Sequence, residues 1–230
     1  MIKLYNKNYL ECEDVKFDII FTDIPYNIGK DAYASNPRWW KNGSVKNGRS
    51  EKADSMFFET DENFNLYQWL EWCYNHLTDD GKLITFLSIE QLSLLIQNHY
   101  KFKKYTPLIF IKNNSAEVLK ANMRIVGACE YGIVLYKNKL GCFNNNGKMI
   151  KNWFIFDRMC KKIHPNQKPL NLCIDILKLF IKDDSLICDT CMGSGTIIKA
   201  CKELNVNCYG FEIENKYYNI AIDNINEKGE

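Results

Sequence analysis

Short apolar runs alternate with longer stretches of helical period along this chain. Phe17–Phe21, Lys82–Leu87, Leu108–Ile111, Gly132–Tyr136, Ser185–Cys188 and Asn207–Phe211 read as strands, each short and bounded by polar or turn-forming residues. Glu62–Leu77, Ile89–His99, Pro169–Ile181, Thr196–Leu204 and Asn215–Asn226 read as helices. In the first of these, Leu66, Trp69, Leu70, Cys73 and Leu77 fall on one face at helical spacing. Strands alternating with helices predict an α/β fold, a doubly wound and mostly parallel sheet. Leu108–Ile111 and Gly132–Tyr136 have no clear helix between them, which predicts an antiparallel hairpin at the sheet edge.

Two stretches interrupt the pattern. The segment 29–61 is polar, rich in Asn, Gly and Lys, and carries Arg38, Trp39, Trp40, Lys41 and Arg49. A loop of this length in a compact domain is usually functional or disordered. The segment 137–163 holds Asn144-Asn145-Asn146-Gly147 and a basic cluster of Arg158, Lys161 and Lys162. The rest divides into a first half, 1–136, and a last half, 164–230, of a single domain.

Composition narrows the class. Of the 230 residues 46% are hydrophobic and 25% charged, the balance of a globular domain. No apolar run is long enough to span a bilayer, and the opening Met1-Ile2-Lys3-Leu4 lacks a signal peptide's apolar core, so a cytoplasmic protein is expected. The 10 cysteines are scattered and several sit inside apolar runs, as buried reduced thiols do. Cys188 and Cys191 form a C-x-x-C pair, but with no second pair at zinc spacing a metal or redox protein is disfavoured and no metal is expected. A net charge of +2 gives no global signal for nucleic acid, so any polyanion site is a local patch.

Chemistry concentrates at two strand ends. Ser185–Thr196 reads SLICDTCMGSGT, a strand ending in Asp189 followed by a turn with Gly193 and Gly195 and a helix from Thr196. Such turns lie where parallel sheets bind ligands, and glycine lets backbone approach a ligand closely. The next strand ends in Gly210-Phe211-Glu212, which places a carboxylate where ribose hydroxyls can donate to it. The spacing fits an adenosine-containing cofactor without choosing between a dinucleotide and S-adenosylmethionine. Alone, this segment reads equally well as an ordinary strand-to-helix turn. The second place is Phe17–Gly29, FDIIFTDIPYNIG, where a strand runs into Asp23-Ile24-Pro25-Tyr26. An aromatic amino group is a poor nucleophile because its lone pair is delocalised into the ring. Asp23 can accept one of its hydrogens and the Ile24 carbonyl the other, favouring a pyramidal nitrogen. Pro25 stiffens the turn, and Tyr26 can stack on a base rotated out of a duplex.

Together these segments resemble the amino-methyltransferases of DNA. Asp23-Ile24-Pro25-Tyr26 is similar to the family's (D/N/S)PPY, and Glu130–Lys137 to its HE-x-I-L-x-F-x-K strand. His164-Pro165-Asn166-Gln167-Lys168-Pro169 is similar to HPxQKP, and Asp189–Thr196 to DPFxGSGT. Their order is that of the permuted beta group, with the catalytic half before the cofactor half. The resemblance implies a Rossmann-like methyltransferase fold and S-adenosylmethionine as cofactor. It assigns Asp23, Ile24, Pro25 and Tyr26 to catalysis. To the cofactor it assigns His164, Gln167, Lys168, Asp189, Cys191, Gly193, Ser194, Gly195, Thr196 and Glu212, with Gln167 and Lys168 at the methionine end. Target recognition falls to 137–163, and Arg38, Trp39, Trp40, Lys41, Arg49 and Arg158 become DNA-binding candidates on double-stranded DNA, with a homodimer as one arrangement. Asp in the first catalytic position leans toward adenine N6, and a restriction-modification setting is implied; cytosine N4, and an inactive nucleic-acid-binding homologue, are the alternatives. There are four departures: Ile24 for the first Pro, Thr190-Cys191 for Pro-Phe, Lys7-Asn8 where the family has Gly-Asp near the cofactor adenine, and Cys129 for the His of the HE strand.

Overall fold

The computed structural model describes residues 1–27, 63–113, 127–140, 143–157 and 167–226. They form two compact units, Met1–Ile24 with Tyr67–Glu230, and Pro25–Leu66. The large unit is built on one eight-stranded sheet. In chain order its strands are β1 (Ile2–Tyr5), β2 (Phe17–Asp23), β3 (Leu77–Leu87), β4 (Lys104–Lys112), β5 (Cys129–Tyr136), β6 (Trp153–Phe156), β7 (Leu186–Asp189) and β8 (Asn207–Phe211). The helices are α1 (Leu66–His76), α2 (Ile89–Gln97), α3 (Leu170–Phe180), α4 (Thr196–Glu203) and α5 (Asn215–Asn226). The strand order is β1-β8-β7-β2-β3-β5-β4-β6. Every neighbouring pair is parallel except those that β5 makes with β3 and β4. The α/β fold with a mostly parallel sheet is therefore the one the hydrophobic pattern predicts.

Strand residues alternate between the two faces. Ile19 and Phe21 of β2, Ile84 and Phe86 of β3 and Ile187 of β7 join one large core with Leu172, Cys173, Ile176 and Leu177 of α3, Ile197 and Ile198 of α4, and Ala221 and Ile225 of α5. Thr22 points the other way, where the Trp69 indole of α1 donates to Thr190, which in turn bonds Thr22. Trp69, Leu70 and Cys73 are fully buried, as their spacing predicts. Ser88 caps α2 in a reciprocal box with Gln91, which is why that helix starts where the sequence places it.

Two strands were not legible in the hydrophobic pattern. β1 is only four residues long, and its register is supplied by β8 (Ile2 opposite Cys208 through Tyr5 opposite Phe211). β6 lies inside the segment 137–163 and pairs with β4, from Ile109 opposite Trp153 to Lys112 opposite Phe156. Its run of four apolar residues has no alternation to read, and its partner lies far back in the chain. The predicted antiparallel hairpin of β4 and β5 exists, but it is not the edge; β6 covers its outer flank.

Gly132 explains how β4 and β5 close on each other. A Cβ there would come within 2.7 Å of the Thr85 carbonyl oxygen and 2.8 Å of Phe110 Cε2. Phe110 instead occupies that space, with its ring centroid 4.6 Å from that of Phe86. Gly132→Ala is expected to destabilise the domain by about 1–3 kcal/mol through overpacking. The measurement is the urea midpoint, which should fall with an unchanged denaturant slope.

Candidate active site

The carboxyl ends of β8, β7, β2 and β3 share one edge of the sheet, because these four strands run parallel. Asp23 ends β2, Asp189 ends β7, and Glu212 follows β8. β2 and β7 are direct neighbours (Ile19 opposite Ile187, Ile20 opposite Cys188). The two motifs that are far apart in sequence thus emerge side by side.

Asp189 is buried, and its Oδ1 accepts from the Thr22 hydroxyl at 2.7 Å and from the Cys191 backbone N–H at 3.1 Å. Behind Thr22, the Thr190 hydroxyl donates to Thr22 at 3.3 Å and the Trp69 indole N–H donates to Thr190 at 3.0 Å. This relay fixes the start of the β7–α4 turn. Burial pushes the Asp189 carboxyl up to about 7, against the opposing pull of the Thr22 and Cys191 donors. The turn then passes through Gly193 (φ 50°) and Gly195 (φ 74°), both in the left-handed region. A Cβ on Gly195 would meet Ile225 Cδ1 at 2.9 Å and Ala221 Cβ at 3.0 Å, so α5 packs directly under the turn. The Asn224 amide of α5 donates to the Ser194 carbonyl at 2.8 Å, and the Ser194 and Thr196 hydroxyls lie 3.0 Å apart.

Glu212 accepts one backbone N–H on each oxygen, Gly193 on Oε2 and Glu214 on Oε1, both at 2.9 Å. Burial raises its carboxyl, and the backbone N–H donors of Glu214, Gly193 and Ile213 oppose the rise. A carboxylate has about four acceptor positions, so these backbone donors leave it capacity to accept from a ligand. That donor set suits two adjacent ribose hydroxyls. The glycine turn, the start of α4 and the bidentate carboxylate therefore fit an adenosine-containing cofactor.

Lys168 lies at the foot of α3, buried, with its ammonium 2.7 Å from Asp23 Oδ2 and 3.4 Å from Glu130 Oε2. Lys112 reaches the other Glu130 oxygen at 2.7 Å. Burial alone would raise the Glu130 carboxyl, but Lys168 and Lys112 outweigh it and hold it at about 2. Four alternating charges thus run from β4 through β5 to β2.

The structure brings Asp23, Lys168, Asp189, Cys191, Gly193, Ser194, Gly195, Thr196 and Glu212 to this edge of the sheet. Gln167 precedes Lys168 and is half-buried. Ile24 is 2% exposed, so its side chain anchors the end of β2 where the family carries a proline. Pro25 and Tyr26 follow directly and belong to the second unit. There Asn27, at φ 55°, donates its amide to the Phe64 carbonyl at 2.9 Å and accepts the Phe64 N–H at 3.1 Å. Asn8 caps a short 3-10 turn, Tyr9–Glu11, its side chain accepting from the Leu10 N–H while the Glu11 carboxylate accepts from the Asn8 N–H. The Asn8 side-chain oxygen is thus engaged by backbone. His164, Arg38, Trp39, Trp40, Lys41, Arg49 and Arg158 lie outside the described residues. Thr22, Lys112 and Asn224 were not singled out by the sequence motifs, and Glu130, which opens the motif of Glu130–Lys137, was given no role at the site. Asn224 had a signal, a polar residue on the apolar face of α5 beside Tyr217, Ala221 and Ile225.

The Asp189 carboxyl gives a pH signature. Its folded value near 7 lies above the ordinary 3.8, so the folded protein holds an extra proton between them. This group's stabilisation is present at low pH and lost as pH rises through the folded value. Asp189→Asn keeps the Oδ1 acceptor and removes the proton. Melting temperatures across pH 5 to about 8 are expected to show a smaller fall with rising pH in Asp189→Asn than in the wild type; parallel curves would place the ionisation elsewhere.

Known proteins resemble this chain in sequence and in fold. The Type II methyltransferase M.HpaI of Haemophilus parainfluenzae is 23% identical over 248 residues, covering 94% of this chain and 70% of the relative. M.HinfI of Haemophilus influenzae, also a Type II methyltransferase, is 26% identical over 234 residues, covering 91% and 63%. The chain thus spans 63% to 70% of the length of these curated relatives. A crystal structure of an M1.HpyAVI–SAM complex superposes with a TM-score of 0.72 at 25% identity, covering 97% of this chain and 99% of the other. The family model for N6/N4 DNA methylases matches residues 17–223, and this chain belongs to that DNA methylase family.

Proposed function

We propose that this chain methylates the N6 amino group of adenine within a specific site in double-stranded DNA, using S-adenosylmethionine. The observation that carries the reading is the adjacency of β2 and β7, which sets the Asp23 carboxylate beside the glycine turn on one edge of the sheet. The solved neighbour described as a SAM complex supports the cofactor, and the relatives named Type II methyltransferases support the reaction class.

In this reading Glu212 takes the ribose hydroxyls, and the Asp189–Thr196 turn surrounds the rest of the cofactor. Gln167 and Lys168 flank its methionine end, as the family resemblance implies, with His164 nearby in sequence. S-adenosylmethionine, when bound, supplies a methyl group made electrophilic by its sulfonium. The chain's own residues prepare the amino group. The Lys168 ammonium at 2.7 Å favours the ionised form of Asp23. An ionised carboxylate only accepts hydrogen bonds, so Asp23 takes one amino hydrogen and the Ile24 carbonyl takes the other. The nitrogen lone pair is thereby drawn out of the ring. Tyr26 stacks on the extruded base, and the nitrogen's surplus proton leaves through Asp23 or to solvent after transfer. Arg38, Trp39, Trp40, Lys41, Arg49 and Arg158 supply the duplex contacts, with the segment 137–163 reading the site, in one chain or a homodimer.

Purified protein incubated with S-adenosylmethionine and unmethylated genomic DNA is expected to yield N6-methyladenine by nucleoside mass spectrometry. N4-methylcytosine would keep the mechanism and overturn the base; unmodified DNA would overturn the function. Asp23→Ala is expected to lower turnover by about 100-fold or more while cofactor binding, read by calorimetry, stays close to wild type. Loss of both together would contradict these roles.

A further inference from the structure

The chain Lys112–Glu130–Lys168–Asp23 contains two charges that the reaction itself does not use, Lys112 and Glu130. Glu130 sits at the start of β5, two strands away from Asp23. Its two oxygens face two different lysines, Lys112 in close contact at 2.7 Å and Lys168 in a longer ion pair at 3.4 Å. Lys168 has a long flexible stem, yet its side chain is only 7% exposed and its ammonium lies 4.9 Å from the centre of the Phe86 ring. The register explains the span: Asp23 is opposite Phe86 on β3, Phe86 is opposite Gly132 on β5, and Glu130 is opposite Phe110 on β4. Lys168 thus crosses above Phe86 from the β5 side to the β2 side.

We propose that Glu130 is a positioning residue for amino-methyl transfer, acting through Lys168 to fix the orientation of the Asp23 carboxylate. The proposal rests on the methyltransferase reading above. A lysine bound to a single carboxylate can swing about it. A lysine held between two carboxylates, one of them clamped by Lys112, is triangulated. Lys168 then meets Asp23 at one oxygen, Oδ2, and the carboxylate turns toward the amino group in one orientation. A purely structural ion pair is a weak alternative account, since well-packed apolar residues stabilise a buried site about as well as paired charges do. Glu130 stays anionic throughout the working pH range, because the two lysines hold its carboxyl at about 2.

The test is a double-mutant cycle on full-length protein. Glu130→Gln is expected to lower kcat about tenfold with the cofactor Kd unchanged. On a Lys168→Met background the same change should move kcat by less than about twofold, because the residue it acts through is gone. An equal loss on both backgrounds, an unchanged kcat in Glu130→Gln, or a cofactor Kd weakened in proportion would overturn the proposal. Should Glu130→Gln fail to fold, Glu130→Asp keeps the charge and withdraws it by one methylene, and is read by the same cycle. A wild type that labels no nucleic acid overturns the function instead. The positioning role is then read without turnover, from the titration of the Asp23 carboxyl followed by carbon NMR. A midpoint that moves on Glu130→Gln and stays put when Lys168 is Met supports it; equal or absent shifts overturn it.

Discussion

The ion pair between Lys168 and Asp23 is the constraint on which the rest of the site depends. A carboxylate at the end of a largely buried strand is costly unless a cation meets it, and a buried lysine is costly unless an anion does. The pair spans 145 positions of sequence and joins the foot of α3 to the end of β2. Lys112 and Glu130 extend it into a string of alternating sign, so no net charge is left on the apolar floor made by Phe86 and Phe110. The alternation also decides chemistry: Asp23 next to an ammonium is an acceptor, suited to drawing hydrogens from an amino group.

The second carboxylate pair at this edge behaves in the opposite way. Among the described residues, Asp189 and Glu212 are held by hydroxyl and backbone donors and not by a lysine. Both are raised by burial, Asp189 to about 7. Asp189 closes the turn through its Oδ1, a task that either protonation state performs. Glu212 presents acceptors to a polyhydroxyl ligand. One edge of one sheet thus carries two kinds of acid, separated by what surrounds them: a cation beside Asp23, and neutral donors beside Asp189 and Glu212.

Much of this was legible in the sequence, for definable reasons. The strands from β2 to β5, β7 and β8 announced themselves as apolar runs, and α5 was readable to its ends. The motifs at Asp23 and at Asp189–Thr196 were visible because the chemistry is local, a few consecutive residues at a strand end. What was not legible is non-local. β1 and β6 take their register from partners far away in the chain, and the hairpin of β4 and β5 lost its edge position to β6. Lys168 read as a cofactor residue, and nothing in its neighbourhood announced that it also meets Asp23. Glu130 and Lys112 sit in different strands, and only the register of β4 and β5 brings them together. Thr22 lies just beyond the predicted strand Phe17–Phe21, and only the pairing of β2 with β7 brings its hydroxyl to Asp189.

The most direct test of the central claim is the structure of a ternary complex with a non-reactive cofactor analogue and duplex DNA containing the methylated site. The account predicts an adenine turned out of the duplex, its amino nitrogen within hydrogen-bond distance of Asp23 and the Ile24 carbonyl, and the analogue's ribose on Glu212. An amino nitrogen remote from Asp23, or a cofactor seated away from the Gly193–Thr196 turn, would contradict it.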